Sequence, residues 1–172
     1  MDREYPRPPD MGETIAWMYD FWSSKFAGAR LPMKSDIDPL EIGSLNPGIL
    51  RQLCLFDVER DPYRFRYRLV GGAIPDAGGL AKPGLYVDQV DPTGLVDAEL
   101  VKICETGSPW YKIGPAMIAH MTNIAAVESI ALPLAGRGGR IDYLLSCTVY
   151  HWEKGYRPAE RSELSIARGS SG

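Results

Sequence analysis

Residues 63 to 72 read YRFRYRLVGG. Side chains along a strand point alternately to its two faces, so this stretch places Phe65, Tyr67 and Leu69 on an apolar face and Arg64, Arg66 and Arg68 on a cationic one. The pattern specifies half-buried antiparallel sheet. Gly71 and Gly72 then allow a sharp exit from the strand. The segment before it, from about Gln52 to Glu59, reads as a second strand joined through the tight ERDP turn, which predicts a β-hairpin.

The rest of the chain supplies elements around this hairpin. In GETIAWMYDFWSSKFAGARLP, Ile15, Met18, Tyr19, Trp22 and Phe26 recur at three- and four-residue steps, predicting an amphipathic helix from about Glu13 to Ala27. Trp17 and Phe21 flank that stripe and widen the apolar face, so the helix requires a docking surface. A short helix is expected around Pro39 to Ser44, with Asp36 and Asp38 as turn-forming or capping carboxylates. The glycine- and proline-rich run AIPDAGGLAKPGLYVDQVDPTG favours loops and single helical turns. Asp91 or Thr93 then opens a helix through LVDAELVKICETG, with Leu95, Val96, Leu100, Val101 and Cys104 as its buried stripe and Gly107 as its stop. Three more strands are expected at about Trp110 to Met117, Asn123 to Leu134 and Arg140 to Trp152, the last two joined by a GRGGR turn. The order describes an α+β domain with a five-stranded antiparallel sheet.

At 172 residues the chain suits one domain with terminal additions. Its organisation is expected as a loose segment 1-12, a leading helix and connection 13-50, a core 51-153 and a polar tail 154-172. A formal net charge of -3 argues against electrostatically driven nucleic-acid binding. Cys54, Cys104 and Cys147 stand far apart without metal-like spacing, so neither a disulfide framework nor a structural zinc is expected, and a reducing cytoplasm fits best. No uninterrupted apolar run approaches about 18 residues, so no membrane association is expected.

The segment from LPMKSDIDPLEIGSLNPGIL through the hairpin and its R-x-R-L-V-G exit, followed by GLYVDQV and by ESIALPLAGRGGRIDYLLSCTVY, resembles the PAS-like sensory family typical of alphaproteobacteria. The resemblance runs from about Trp17 to Tyr150. It implies a PAS-like fold with a pocket between the concave sheet face and the central helices, and a module that changes shape on ligand binding. The sequence departs from the family at Gly72 and AIPDAGGLAKPG, where a threonine and a longer alternation are usual.

Ligand-binding candidates on that reading are Phe65, Tyr67, Leu69, Leu85, Val101, Ile130, Tyr143 and Leu145, with Val87, Leu100 and Leu132 as further walls. The same alternation also describes an ordinary filled core. His120, in the AHMTN turn, is a candidate for contacting a small molecule or merely a half-exposed side chain, and His151 stands at a strand end. The central helix has no histidine to hold a haem and no flavin-type cysteine motif, and Cys104 reads as a buried thiol. The cofactor stays unknown and no metal is expected. GxSxG, a Walker loop and HExxH are absent, so no catalytic residue is assigned.

Partner-binding candidates are Arg64, Arg66 and Arg68, whose guanidiniums suit phosphates or acidic surfaces, together with Trp17 and Trp22 of the leading helix. For the arginines the other reading is a solvated face paired to Asp57 or Glu59. The leading helix has two expected roles: covering the arginine face or pairing two chains as a homodimer. The sequence therefore points to a non-enzymatic, cytoplasmic sensory or regulatory module that binds a small molecule or a separate signalling protein. A small α+β enzyme using the same cavity and a pure interaction domain with a filled core are the alternatives.

Overall fold

The computed structural model of the chain describes residues 10–115 and 123–153. Five strands form one antiparallel sheet in the order β2-β1-β5-β4-β3: β1 (Leu53–Glu59), β2 (Arg64–Val70), β3 (Trp110–Gly114), β4 (Ile124–Ala135) and β5 (Ile141–Trp152). Helix α1 (Glu13–Ser24) and the short α2 (Pro39–Leu45) precede the sheet. Three helices, α3 (Ala73–Asp76), α4 (Val87–Val90) and α5 (Leu95–Thr106), fill the crossover between β2 and β3. This is the α+β, PAS-like architecture that the element order predicts. Among the described residues no helix is long and apolar enough to cross a membrane.

Local chemistry sets these elements. Asp38 Oδ1 accepts from the Leu40 N–H at 2.8 Å beside Pro39, and Asp36 Oδ2 accepts from the Met33 N–H at 2.8 Å, so both carboxylates act in turns and caps. Asp91, buried at the start of α5, accepts from the backbone N–H groups of Thr93 and Val96 at 3.0 and 2.9 Å. Gly107 ends α5 at a φ of 73°, a left-handed position that glycine occupies without a Cβ clash. The buried residues of α5 are Leu100 and Ile103, whereas Leu95, expected in the stripe, is exposed. The GRGGR segment is the turn between β4 and β5, closed by the Gly136 N–H on the Arg140 carbonyl.

Gly71 explains the abrupt end of β2. It is buried, its N–H donates to the Leu53 carbonyl at 2.7 Å, and a Cβ there would collide with the Arg51 backbone. The chain can leave the sheet at this point only because the side chain is missing.

Both faces of the sheet are covered. On the convex face, Ile15, Met18, Tyr19, Phe21 and Trp22 of α1 bury against Ile130, Leu132 and Leu134 of β4 and Leu145, Cys147 and Val149 of β5. Each fully buried apolar side chain of this size contributes about 1.5–3 kcal/mol. Trp22 has no exposed surface, and its Nε1–H donates to the Pro133 carbonyl at 2.9 Å. Glu128 Oε2 accepts from the Gly12 N–H at 3.1 Å and the Tyr111 hydroxyl at 3.0 Å, holding the start of α1. On the concave face, Phe56, Phe65, Tyr67 and Leu144 pack against Ile74, Val87, Val90, Leu100 and Ile103 of the crossover helices.

Candidate functional site

The concave face is built from rows of paired residues. Antiparallel pairing aligns Cys54, Ser146, Ala131 and Trp110 across β1, β5, β4 and β3, and it aligns Thr148, Ser129 and Lys112 in the next row. Residues directly opposite one another share a face, so these rows form a continuous floor. Tyr150 and Val127 extend it at one end and Phe56 and Tyr67 at the other. Val90 of α4 and Val96 and Leu100 of α5 form the roof, and Ile74 and Ala81 close the side.

Between floor and roof lies a cavity of about 120 Å³ that is partly open to solvent. An apolar cavity of about 150 Å³ is known to take up a molecule the size of benzene. Leu80, which is 62% exposed, stands at the mouth with Pro115 and Lys112. Lys112 Nζ donates to the Pro115 carbonyl at 2.7 Å.

Few polar groups face this space. Ser129 Oγ and Thr148 Oγ1 hydrogen-bond to each other at 3.0 Å and Ser129 Oγ also donates to the Cys147 carbonyl at 3.4 Å, so the pair's remaining capacity is to accept a hydrogen bond from a further partner. Burial pushes the Cys54 thiol up to about 12, although its hydrogen bonds with the Gly71 backbone and the Ser146 side chain pull the other way. Burial also drives the Tyr67 and Tyr150 phenols well above the ordinary tyrosine range, and the nearby Cys54 adds to both shifts. All three groups are thereby moved further from ionisation. An apolar cavity with a few convergent hydroxyls is the usual form of a small-molecule site.

The sequence-predicted site residues divide between the two faces. Tyr67 lines the cavity, and Phe65 is fully buried in the concave core beneath it. Leu85 and Val101 pack at the edge of that core, away from the cavity lining. Leu69, Ile130, Tyr143 and Leu145, with Leu132, lie on the convex face instead. In β2 the cause is a register shift: Phe56 pairs with Tyr67 and Leu55 with Leu69, so Arg68 is an extra residue that inverts the face of Leu69. In β4 and β5 the cause is phase, because α1 covers the face carrying the larger aliphatic residues. His120 lies outside the described residues, as do Met117 and the tail.

The partner candidates also resolve by position. Arg66 Nη2 and Arg68 Nε bond to the two oxygens of Asp57 at 2.9 and 2.7 Å, the cross-strand arrangement weighed from sequence. Arg64 instead pairs with Asp88 at 2.8 and 3.0 Å and stacks 3.6 Å from the Tyr86 ring, while Glu59 accepts from the Tyr86 hydroxyl. Trp22 is buried within its own chain and offers no surface to a partner. Trp17 is partly buried and stacks on Phe21 at 5.3 Å. The leading helix packs its aromatic stripe on β4 and β5 rather than on the arginine stems.

Sequence reasoning missed Cys54, Trp110, Ser129, Ser146, Thr148 and Tyr150. The signal was present in LLSCTVY, where Ser146, Thr148 and Tyr150 alternate. Alternating polar residues ordinarily mark a solvent face. A chain whose leading helix needs a docking surface has both sheet faces covered, and the polar face is then the lining of a cavity. Among the described residues, no group of three or more His, Cys, Asp or Glu is arranged to hold a metal ion. Neither a family model nor a curated protein matches the chain.

Proposed function

We propose that the chain is a PAS-like, cytoplasmic sensory or regulatory module that binds a small, uncharged, ring-sized molecule and passes the signal to a separate protein without catalysing a reaction. The observation that carries this reading is the apolar lining of the cavity: Phe56, Ile74, Val90, Leu100 and Ala131 surround the space, with Ser129, Ser146 and Thr148 among the few polar side chains along it. Burial moves Cys54, Tyr67 and Tyr150 further from ionisation, which works against any of them serving as a nucleophile or base, and Lys112 at the mouth is bonded to the Pro115 carbonyl. The Ser129–Thr148 hydroxyl pair would orient one polar group of the ligand. Three cysteines standing far apart in the sequence, with no disulfide-framework or metal-like spacing, fit a reducing compartment.

Strand β1 offers a route for the signal. Cys54 and Phe56 face the cavity, while Leu53 and Leu55 between and beside them face the convex side. A ligand that favours one position of β1 changes both faces together.

Native mass spectrometry of the full chain, followed by thermal-shift titration with phenol, benzamide and indole, tests the reading. A retained mass or saturable stabilisation is expected. Ala131 sits on the cavity floor at 2% exposure. Ala131→Leu is expected to fill the space, weakening binding by about tenfold or more while changing stability by about 1 kcal/mol. Binding that survives this substitution, or turnover of a bound compound, would overturn the proposal.

A further inference from the structure

The convex face is covered unevenly. Helix α1 lies over β4 and β5, and between α2 and the β1–β2 hairpin a groove of about 270 Å³ remains. Leu53, Leu55, Leu134 and Leu145 form its floor, with Ile42 of α2 on one wall and Leu69 on the other. Leu50 and Leu69 at its lip are 37% and 43% exposed, and Leu40 and Leu45, on the helix that supplies Ile42, are 83% and 60% exposed. Isolated exposed leucines need no explanation, but a cluster beside an apolar groove marks an interaction surface.

The rim is cationic. Lys34 and Arg68 line the groove, with Lys34 held 5.4 Å from the Tyr143 ring. Arg66 and Arg68 share the single carboxylate of Asp57, and both are more exposed than it is. Lys34 and Arg68 are the cations that line the groove, and the exposed Asp38 carboxylate, capping α2 between the lining residues Ile37 and Pro39, stands at its edge.

We infer that this groove docks an acidic amphipathic helix of a second protein, its leucines entering the groove and its carboxylates meeting Lys34 and Arg68. A helix laid into an apolar groove is a common recognition mode, and its anchors recur at the spacing that such a groove accepts. Charge selects among the occupants. A second copy placed on this face would set one cationic rim against another. The chain's own tail carries Lys154, Arg157, Arg161 and Arg168 against Glu160 and Glu163, so it matches the rim poorly. An anionic bilayer meets the whole face of a chain whose net charge is -3, whereas a peptide meets only the local cations. The site is separate from the cavity, and the inference holds whether or not the cavity takes a ligand.

Fluorescence anisotropy on the full chain tests it, using a labelled synthetic helix with leucines at i, i+3, i+4 and i+7 and glutamates on its flanks. Its counterpart with lysines in place of the glutamates is the control. Saturable binding is expected for the glutamate peptide, about tenfold or more tighter than for the lysine peptide and weakening as salt rises. Leu69→Ser and, separately, Arg68→Glu are each expected to weaken it by about fivefold or more. Amide shifts of the unsubstituted protein on titration should concentrate at Leu53, Leu55 and Leu69, which needs no variant to fold. Equal binding of the two peptides, indifference to both substitutions or shifts confined to the cavity would overturn the inference. So would a dimer dispersed by Leu69→Ser, or preference for phosphatidylserine vesicles over the peptide.

Discussion

Tyr67 and Leu69, two positions apart in one strand, lie on opposite faces of the sheet: Tyr67 is 4% exposed in the concave core and Leu69 is 43% exposed beside the convex groove. The extra residue Arg68 separates them. Its bulge turns one continuous alternation into two short ones, so a single strand serves both surfaces.

That separation predicts a large asymmetry between two similar truncations. Tyr67→Ala removes a buried ring from the cavity floor and should cost about 3 kcal/mol. Leu69→Ala should cost less than about 1 kcal/mol, as expected for a half-exposed position. Urea unfolding followed by circular dichroism measures both. Equal costs would show that the two residues share one environment.

Glu128 is the polar anchor of α1. It is 3% exposed and accepts from the Gly12 N–H and the Tyr111 hydroxyl. Glu128→Ala leaves those donors without their acceptor, a loss of about 1–3 kcal/mol. The damage should be local, with faster hydrogen exchange in residues 13–24 than in α5. Exchange that rises uniformly, or stays unchanged in α1, would contradict this anchoring.

Alkaline conditions should destabilise the fold through its buried thiols. Burial pushes Cys54 up to about 12 and Cys104 up to about 11, so the folded chain holds both protons more tightly than the unfolded chain does. The stabilisation is fully present below the ordinary thiol value of 9.0 and is lost as pH rises through the folded values. Each thiol that ionises only on unfolding contributes a slope of about 1.4 kcal/mol per pH unit in that window. Urea midpoints measured under reducing conditions should fall above about pH 9, in the range where an unfolded thiol ionises. In Cys54→Ala the fall should be shallower, and an unchanged slope would locate the alkaline sensitivity elsewhere.

Much of the fold was legible because its determinants are local. The α1 stripe, the Asp38 cap beside Pro39, the Gly107 stop and the turns at ERDP and GRGGR each depend on a few neighbouring residues, and each lies where those residues place it. The site was less legible. Tyr67 follows from the alternation of β2, but ALPLA and YLLSC carry apolar residues on both faces, so hydropathy does not set the phase of β4 or β5. Ile130, Tyr143 and Leu145 consequently read as cavity walls, although they face α1. The Arg68 bulge depends on pairing with β1, and no residue within β2 announces it.

The amino-acid sequence by itself determined the kinds of element, their order and their strong stops, since propensity, capping and period act over a few residues. Tertiary structure decided which face became the cavity. A period of two defines two faces without ranking them, and the ranking came from α1, whose Trp22 meets Pro133 across 111 residues of chain. Once that helix had taken one face of β4 and β5, Ser129, Ser146 and Thr148 were left to line the other.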